Sequence, residues 1–241
     1  VDVVRKAARW NLKHGAQTIK LMATGGVSLD GEQPTDEQLS VEELTAAVLE
    51  AHHKGKPAMA HAQGTQGIKN AILAGVDSVE HAVYLDDETI QMLLDTNTAI
   101  VPTMAAPWQM LQHKDDIPAY MYDKASALWE AHQQSIRDAA AAGVNVVMGT
   151  DAGTSYNDFK SGPGVEIRLL ASVGMTPEQV LLASTIRGAE LLGIAERVGE
   201  LVPGKDADML ILDRDPLQDL AVLTDAPRVI KRGQAVTGSL N

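Results

Sequence analysis

Four residues of types that can hold a metal ion or move a proton fall at matching places along this chain. Lys20 lies inside QTIKLMA, His61 near the end of KPAMAHA, His81 at the end of DSVEH, and Asp151 directly after VNVVMGT. Each of these runs reads as a strand, so the four residues sit at or near strand C-termini, where α/β folds gather their chemistry on converging loops. Taken singly, either His reads as a core imidazole bonded to backbone, and Asp151 reads as an N-cap. Lys20 is harder to place that way. An amine within an apolar strand must stay neutral, find a partner or be modified. Four such residues on four strands together favour a site. Imidazole and carboxylate suit zinc or a similar borderline divalent ion. An Asp beside that ion can take a proton from water made acidic by it. Lys20 is a poor ligand as an ammonium, but a good one as a carbamate.

The elements that must hold these residues follow from apolar spacing and turn signals. Helices are predicted over residues 2–14, 40–53, 65–74, 86–95, 119–142, 163–173 and 177–192. The second opens on a Ser40/Glu43 capping box. Between them lie five candidate parallel strands, at 17–23, 56–62, 77–81, 98–103 and 144–150. Strand and helix alternate, which is the α/β pattern. After Gly193 the register changes: 209–212, 228–230 and 234–237 read as short antiparallel strands between turns such as Pro203-Gly204 and Asp215-Pro216. The expected division is a partial (β/α) barrel over 1–195 and a small β segment over 196–241.

Composition narrows the function classes. The chain has 241 residues, no Cys, and 32 acidic against 20 basic side chains, a net charge of −12. Without Cys there are no disulfides, no thiolate catalysis and no Cys-ligated zinc. So acidic a chain lacks the electrostatic footprint for nucleic acid or an anionic membrane. No apolar run approaches the ~20 residues of a membrane-spanning helix. A soluble, cytoplasmic protein with a small-molecule or short-peptide substrate is the expectation.

The ordered set IKLMATGGV (19–27), AHAQG (60–64), GVDSVEHAVYLDDE (75–88), GTDAG (149–153) and GKDADMLILDRDP (204–216) resembles the amidohydrolase superfamily, above all its imidazolonepropionase-like members, Xaa-Pro dipeptidases and Xaa-Arg carboxypeptidases. The resemblance implies a metal-dependent (β/α)8 barrel of the TIM type with a β-sandwich at its side. On that frame Lys20 ends strand four and bridges two metals once carboxylated. His61 and His81, on strands five and six, bind the more exposed ion. Asp151, on strand eight, binds the buried ion and shuttles the proton. The expected cofactor is zinc, as one or two ions. The expected reaction is hydrolysis of an amide or peptide bond, with lactones, esters, cyclic imides and organophosphates as alternative substrates of the same chemistry. Tyr84 and Gln63 are candidate substrate contacts; Tyr84 could equally cap its own loop, and Gln63 has a similar structural alternative. Arg187 reads as a surface ion-pair partner, and His52-His53 as a solvated pair.

One departure is large. The family's first strand carries a His-x-His pair for the buried ion, and this sequence has no His-x-His. Strands one to three are missing from the pattern, and the chain opens in the helix before strand four. Five parallel strands cannot close a barrel, since strand number, tilt and shear are coupled. The expectation is therefore completion by other polypeptide, as a homo-oligomer or with an N-terminal segment. The remaining reading is an inactive fragment or a subunit that needs such a partner.

Overall fold

A computed structural model describes residues 1–225 and 228–236. Its centre is a parallel sheet of four strands, β1 (Ile19–Met22), β2 (Ala58–Ala62), β3 (Ser78–His81) and β4 (Ala99–Val101), lying side by side in chain order. That order is what successive βα units of a barrel wall produce. Closure is not seen among the described residues.

Register fixes which side chains share a face. Lys20 pairs with Met59, Met59 with Ser78 and Ser78 with Ala99; one step on, Met22, His61, Glu80 and Val101 line up. These residues occupy one face. The alternate residues, Ile19, Leu21, Ala58, Ala60, Ala62, Val79 and Ile100, are buried in the main core. There they meet α2 (Val41–His52) and α3 (Thr65–Leu73) through Leu44, Ala47, Val48, Ile68 and Ala71. The small Ala side chains of β2 let those helices approach closely. Ahead of β1 runs α1 (Asp2–Lys13), which stops before Gly15 at φ +94°, a conformation glycine adopts without cost. The capping box at α2 is formed: Ser40 Oγ accepts from the Glu43 N–H, and the Glu43 carboxylate accepts from the Ser40 N–H.

Beyond β3 come α4 (Asp87–Thr96), α5 (Ala105–Gln112) and the 24-residue α6 (Ala119–Ala142). The fifth expected strand, 144–150, is not a strand. It touches the sheet at a single parallel bridge, Ile100 to Val146. The Ile100 N–H donates to the Asn145 carbonyl and the Val147 N–H to the Ile100 carbonyl, but the next rung would need an N–H at Pro102, which has none, and on the opposite side the Met148 N–H goes to the Ala183 carbonyl. A backbone donor spent on a helix end cannot pair with a further strand on that side.

After α7 (Gly162–Ser172), the single helix expected over 177–192 is two, α8 (Pro177–Ala183) and α9 (Ile186–Leu191). The hydroxyls of Ser184 and Thr185 donate back to the carbonyls of Val180 and Leu181, and Thr185 sits at φ −132°, ψ −96°. Such local bonds compete with helix continuation. The tail matches the sequence reading: β5 (Met209–Ile211), β6 (Arg228–Lys231) and β7 (Gln234–Ala235) form a separate antiparallel sheet. Thr237, expected at the end of the last strand, lies outside the described residues. No helix among the described residues is long and apolar enough to cross a membrane.

Candidate active site

Lys20, His61, Gln63, His81 and Asp151 line one cavity of about 190 Å³ at the C-terminal end of the sheet, so five of the six residues singled out in the sequence are brought together. Tyr84 is half-buried and is not among the cavity's lining residues. Its backbone N–H donates to the Gln63 carbonyl, and its own carbonyl accepts from Thr65 Oγ1. The remaining walls come from the 26–32 loop, with Gly26, Leu29 and Glu32, and from α5 and α6, with Pro107, Met110, Leu128 and His132.

Lys20 is exposed, not enclosed by apolar side chains as its strand suggests. It points from β1, an edge strand, onto the face away from α2 and α3, where Met22 is also 41% exposed. Its charge still reaches the site, where it adds to the lowering by burial at His61 and His81 and opposes the raising by burial at Asp151.

The two imidazoles are held as specific tautomers. Their ring centroids are 4.5 Å apart and nearly edge-to-face. His61 Nε2 lies 2.9 Å from the Gly25 carbonyl oxygen, which can only accept, so Nε2 carries the proton and Nδ1 keeps a lone pair. His81 Nδ1 lies 2.6 Å from Thr103 Oγ1. That hydroxyl donates its one proton to the Pro102 carbonyl at 2.7 Å, so it accepts from His81 Nδ1–H and leaves Nε2 with a lone pair. Burial lowers the pKa of both rings, His81 well below the ordinary value, and keeps them neutral. Neutral, oriented imidazoles with one free nitrogen each are what a divalent ion requires. Among the described residues no three His, Cys, Asp or Glu side chains converge closely enough to hold a metal. The donor set therefore fits an ion only with Lys20, as a carbamate, for its third member.

Asp151 stands at φ +52° in the turn after Thr150. Asn157, buried beneath that turn, donates from Nδ2 to the Thr150 carbonyl at 2.7 Å, and Thr154 Oγ1 donates to the Asp151 carbonyl at 3.0 Å. Burial raises the Asp151 pKa, opposed by the charge of Lys20 nearby. A carboxyl raised in this way is better suited to hold a proton.

Sequence reasoning missed three buried groups here. His132, on α6, donates from Nε2 to the His81 carbonyl at 2.9 Å, and its Nδ1 has no partner. Gln63 Oε1, a second buried acceptor at this cavity, is likewise unpartnered. Glu80 faces the same side of the sheet as His61, and burial raises its carboxyl to about 7 while Ser78 Oγ donates to it at 2.6 Å. Glu166, on α7, is wholly buried and accepts from the N–H groups of Met104 and Ala105 at 3.1 and 2.6 Å. Burial pushes its carboxyl up to about 8, and the backbone donors pull it back. The only sequence signal for His132 and Glu166 was a polar residue on the buried stripe of a helix. Arg187 makes no ion pair among the described residues; it reaches the Val146 carbonyl at 3.4 Å. His52 pairs with Asp77 at 2.9 Å on the surface.

His132 gives a pH dependence with a definite sign. Burial lowers its pKa from 6.5 to about 4. Between those values the unfolded chain binds the proton and the folded chain does not, so stability present above pH 6.5 is lost as pH falls towards 4. The group's share is about 3 kcal/mol. Denaturant titrations across that range should show it, and His132→Gln, which keeps an Nε2 donor, should flatten the acid limb. An unchanged limb would mean that other groups set it.

The amidohydrolase family model matches residues 1–236. The chain is 32% identical over 233 residues to ochratoxinase of Aspergillus niger, covering 95% of this chain and 47% of that enzyme. It superposes on a crystal structure of a Xaa-Pro dipeptidase with methionine bound in its active site, at a TM-score of 0.89 and 31% identity, over 98% of this chain and 58% of that one. The crystal structure of the A. niger ochratoxinase gives a TM-score of 0.87 at 31% identity, over 99% of this chain and 55% of that one. The chain thus spans about half the length of the curated relatives it matches.

Proposed function

Since the chain belongs to the amidohydrolase family, we propose that it carries the proton-shuttling carboxylate and one cation site of a metal-dependent hydrolase that cleaves an amide or peptide bond. The observation that carries this reading is the pair of neutral imidazoles, each with one nitrogen tied and one free, facing the cavity that Lys20 and Asp151 also line.

His61 through Nδ1, His81 through Nε2 and a carboxylated Lys20 would hold the ion, and zinc suits that donor set. The chemistry such an ion supplies is Lewis acidity towards a carbonyl and a more acidic water. Asp151 takes the proton from the attacking water and returns it to the leaving amine, a role its raised pKa favours. Gln63 Oε1, buried without a partner, accepts a hydrogen bond from a substrate N–H. Tyr84, tied to Gln63 through its backbone, is assigned to substrate atoms beyond the cavity.

A panel of dipeptides, including Xaa-Pro, and N-acyl amino acids against lactones and phosphotriesters tests the reaction class. C–N bond cleavage supports it; turnover of lactones or phosphotriesters alone overturns it.

The working protein includes polypeptide that covers the open face of the sheet, either a second copy or a segment completing the barrel. Exposed Lys20 and Met22 on edge strand β1 support this, because an uncovered edge is a template for unwanted pairing. Light scattering should give a mass above 25.7 kDa for any preparation that turns substrate over. An active monomer of that mass would overturn it.

A further inference from the structure

We propose that Glu166 is a positioning residue for His81 and acts on it through Thr103. The proposal rests on the reading of His81 as a metal-binding imidazole.

Three elements meet at this point. β3 ends in His81, the turn after β4 carries Thr103, and α7 carries Glu166. Thr103 sits at φ +52°. That region is unfavourable for a β-branched residue, at a cost of about 1–3 kcal/mol, and it persists only where surrounding structure enforces it. The enforcing group is the Glu166 carboxylate. It takes the N–H groups of Met104 and Ala105 on its two oxygens, and the Thr103 N–H faces it as well. With the turn held, the Thr103 hydroxyl lies between the Pro102 carbonyl and His81 Nδ1, donating to the first and accepting from the second. The result is a relay of fixed direction: carboxylate to turn, turn to hydroxyl, hydroxyl to imidazole. Its far end leaves His81 Nε2 unprotonated. Glu166, Thr103 and His81 are all buried, so water offers no substitute for any link. His61 is fixed by the Gly25 carbonyl, and the N–H of that same peptide, at Gly26, donates to Glu32 rather than Glu166, so changes at Glu166 leave it untouched.

A purely structural role for Glu166 would leave the His81 tautomer alone, so nitrogen NMR of the metal-free chain separates the two. The spectra are taken at pH 8.5, above the raised Glu166 value of about 8, with His61 as the internal control. The wild type should show His81 as the Nδ1–H form. Thr103→Val should mix the tautomers, and Thr103→Ser should restore the wild-type form. Glu166→Gln puts an amide against backbone donors, and should mix the tautomers as Thr103→Val does. Zinc affinity should fall about 10- to 100-fold in both, as for other changes to groups that orient a metal ligand. The double variant should be no worse than Thr103→Val alone, because the two residues act in series. If Glu166→Gln does not fold, Glu166→Asp, one methylene short of the turn, must show the same tautomer mixing. A folded Glu166 variant with an unchanged His81 tautomer, or additive losses in the double variant, overturns the proposal. If the wild type holds no zinc but Glu166→Gln still shifts His81, the positioning stands and the metal reading fails.

Discussion

Asp151→Asn should abolish most turnover while the fold and the metal content stay close to wild type. Asn has the same shape and is among the few residues that accept the φ of +52° found there. The backbone bond from Thr154 to the residue 151 carbonyl does not depend on the side chain. What Asn cannot do is take a proton from water and hand it to an amine. Loss of one positioned acid–base group costs about 10²–10⁴ in rate. The drop should appear in kcat rather than KM, with zinc still bound at His61 and His81. Turnover within a few-fold of wild type would show that another group moves the proton, and Glu80, buried on the same side of the sheet, would be the next to test.

The second large effect belongs to Lys20. Its neighbours Ile19 and Leu21 are buried, whereas Lys20 itself is exposed, so Lys20→Ala should leave the melting temperature nearly unchanged. Zinc content should nevertheless collapse. Two imidazoles alone are an incomplete site for an ion that takes four ligands, and no third His, Cys, Asp or Glu among the described residues is near enough to replace the lost donor. The loss of affinity should be at least about 100-fold, the upper end of what outer-sphere changes cost. Zinc bound as tightly in Lys20→Ala as in wild type would remove Lys20 from the site.

Much of this was legible in the sequence because it is local. The helix at α2 follows from Ser40 and Glu43, its end from the glycine signals, and the strands from apolar runs. The convergence of Lys20, His61, His81 and Asp151 followed from one rule about strand ends. What was not legible depends on where distant groups go. The 144–150 run has a strand's composition, yet the Met148 N–H is taken by the Ala183 carbonyl, 35 residues away. The helix break at Thr185 needed knowledge of which way two hydroxyls turn. Helix α5 begins just after Thr103, and its first N–H groups are capped by Glu166, some 60 residues later. Lys20 was misjudged in its surroundings for the same reason. Apolar flanking residues say that a strand has a buried face, not that both faces are buried. His132 and Glu166 escaped notice because a polar residue inside an amphipathic helix has no local mark of being buried.

The central claim is that Lys20, His61 and His81 together hold a divalent ion, and native mass spectrometry with metal analysis tests it most directly. Protein prepared with zinc and bicarbonate should carry at least one zinc per chain. Its zinc-loaded mass should include a further ~44 Da from carbon dioxide on Lys20, lost together with the metal on acidification. A chain that folds cooperatively, carries no zinc under those conditions and shows an unmodified Lys20 would contradict the account.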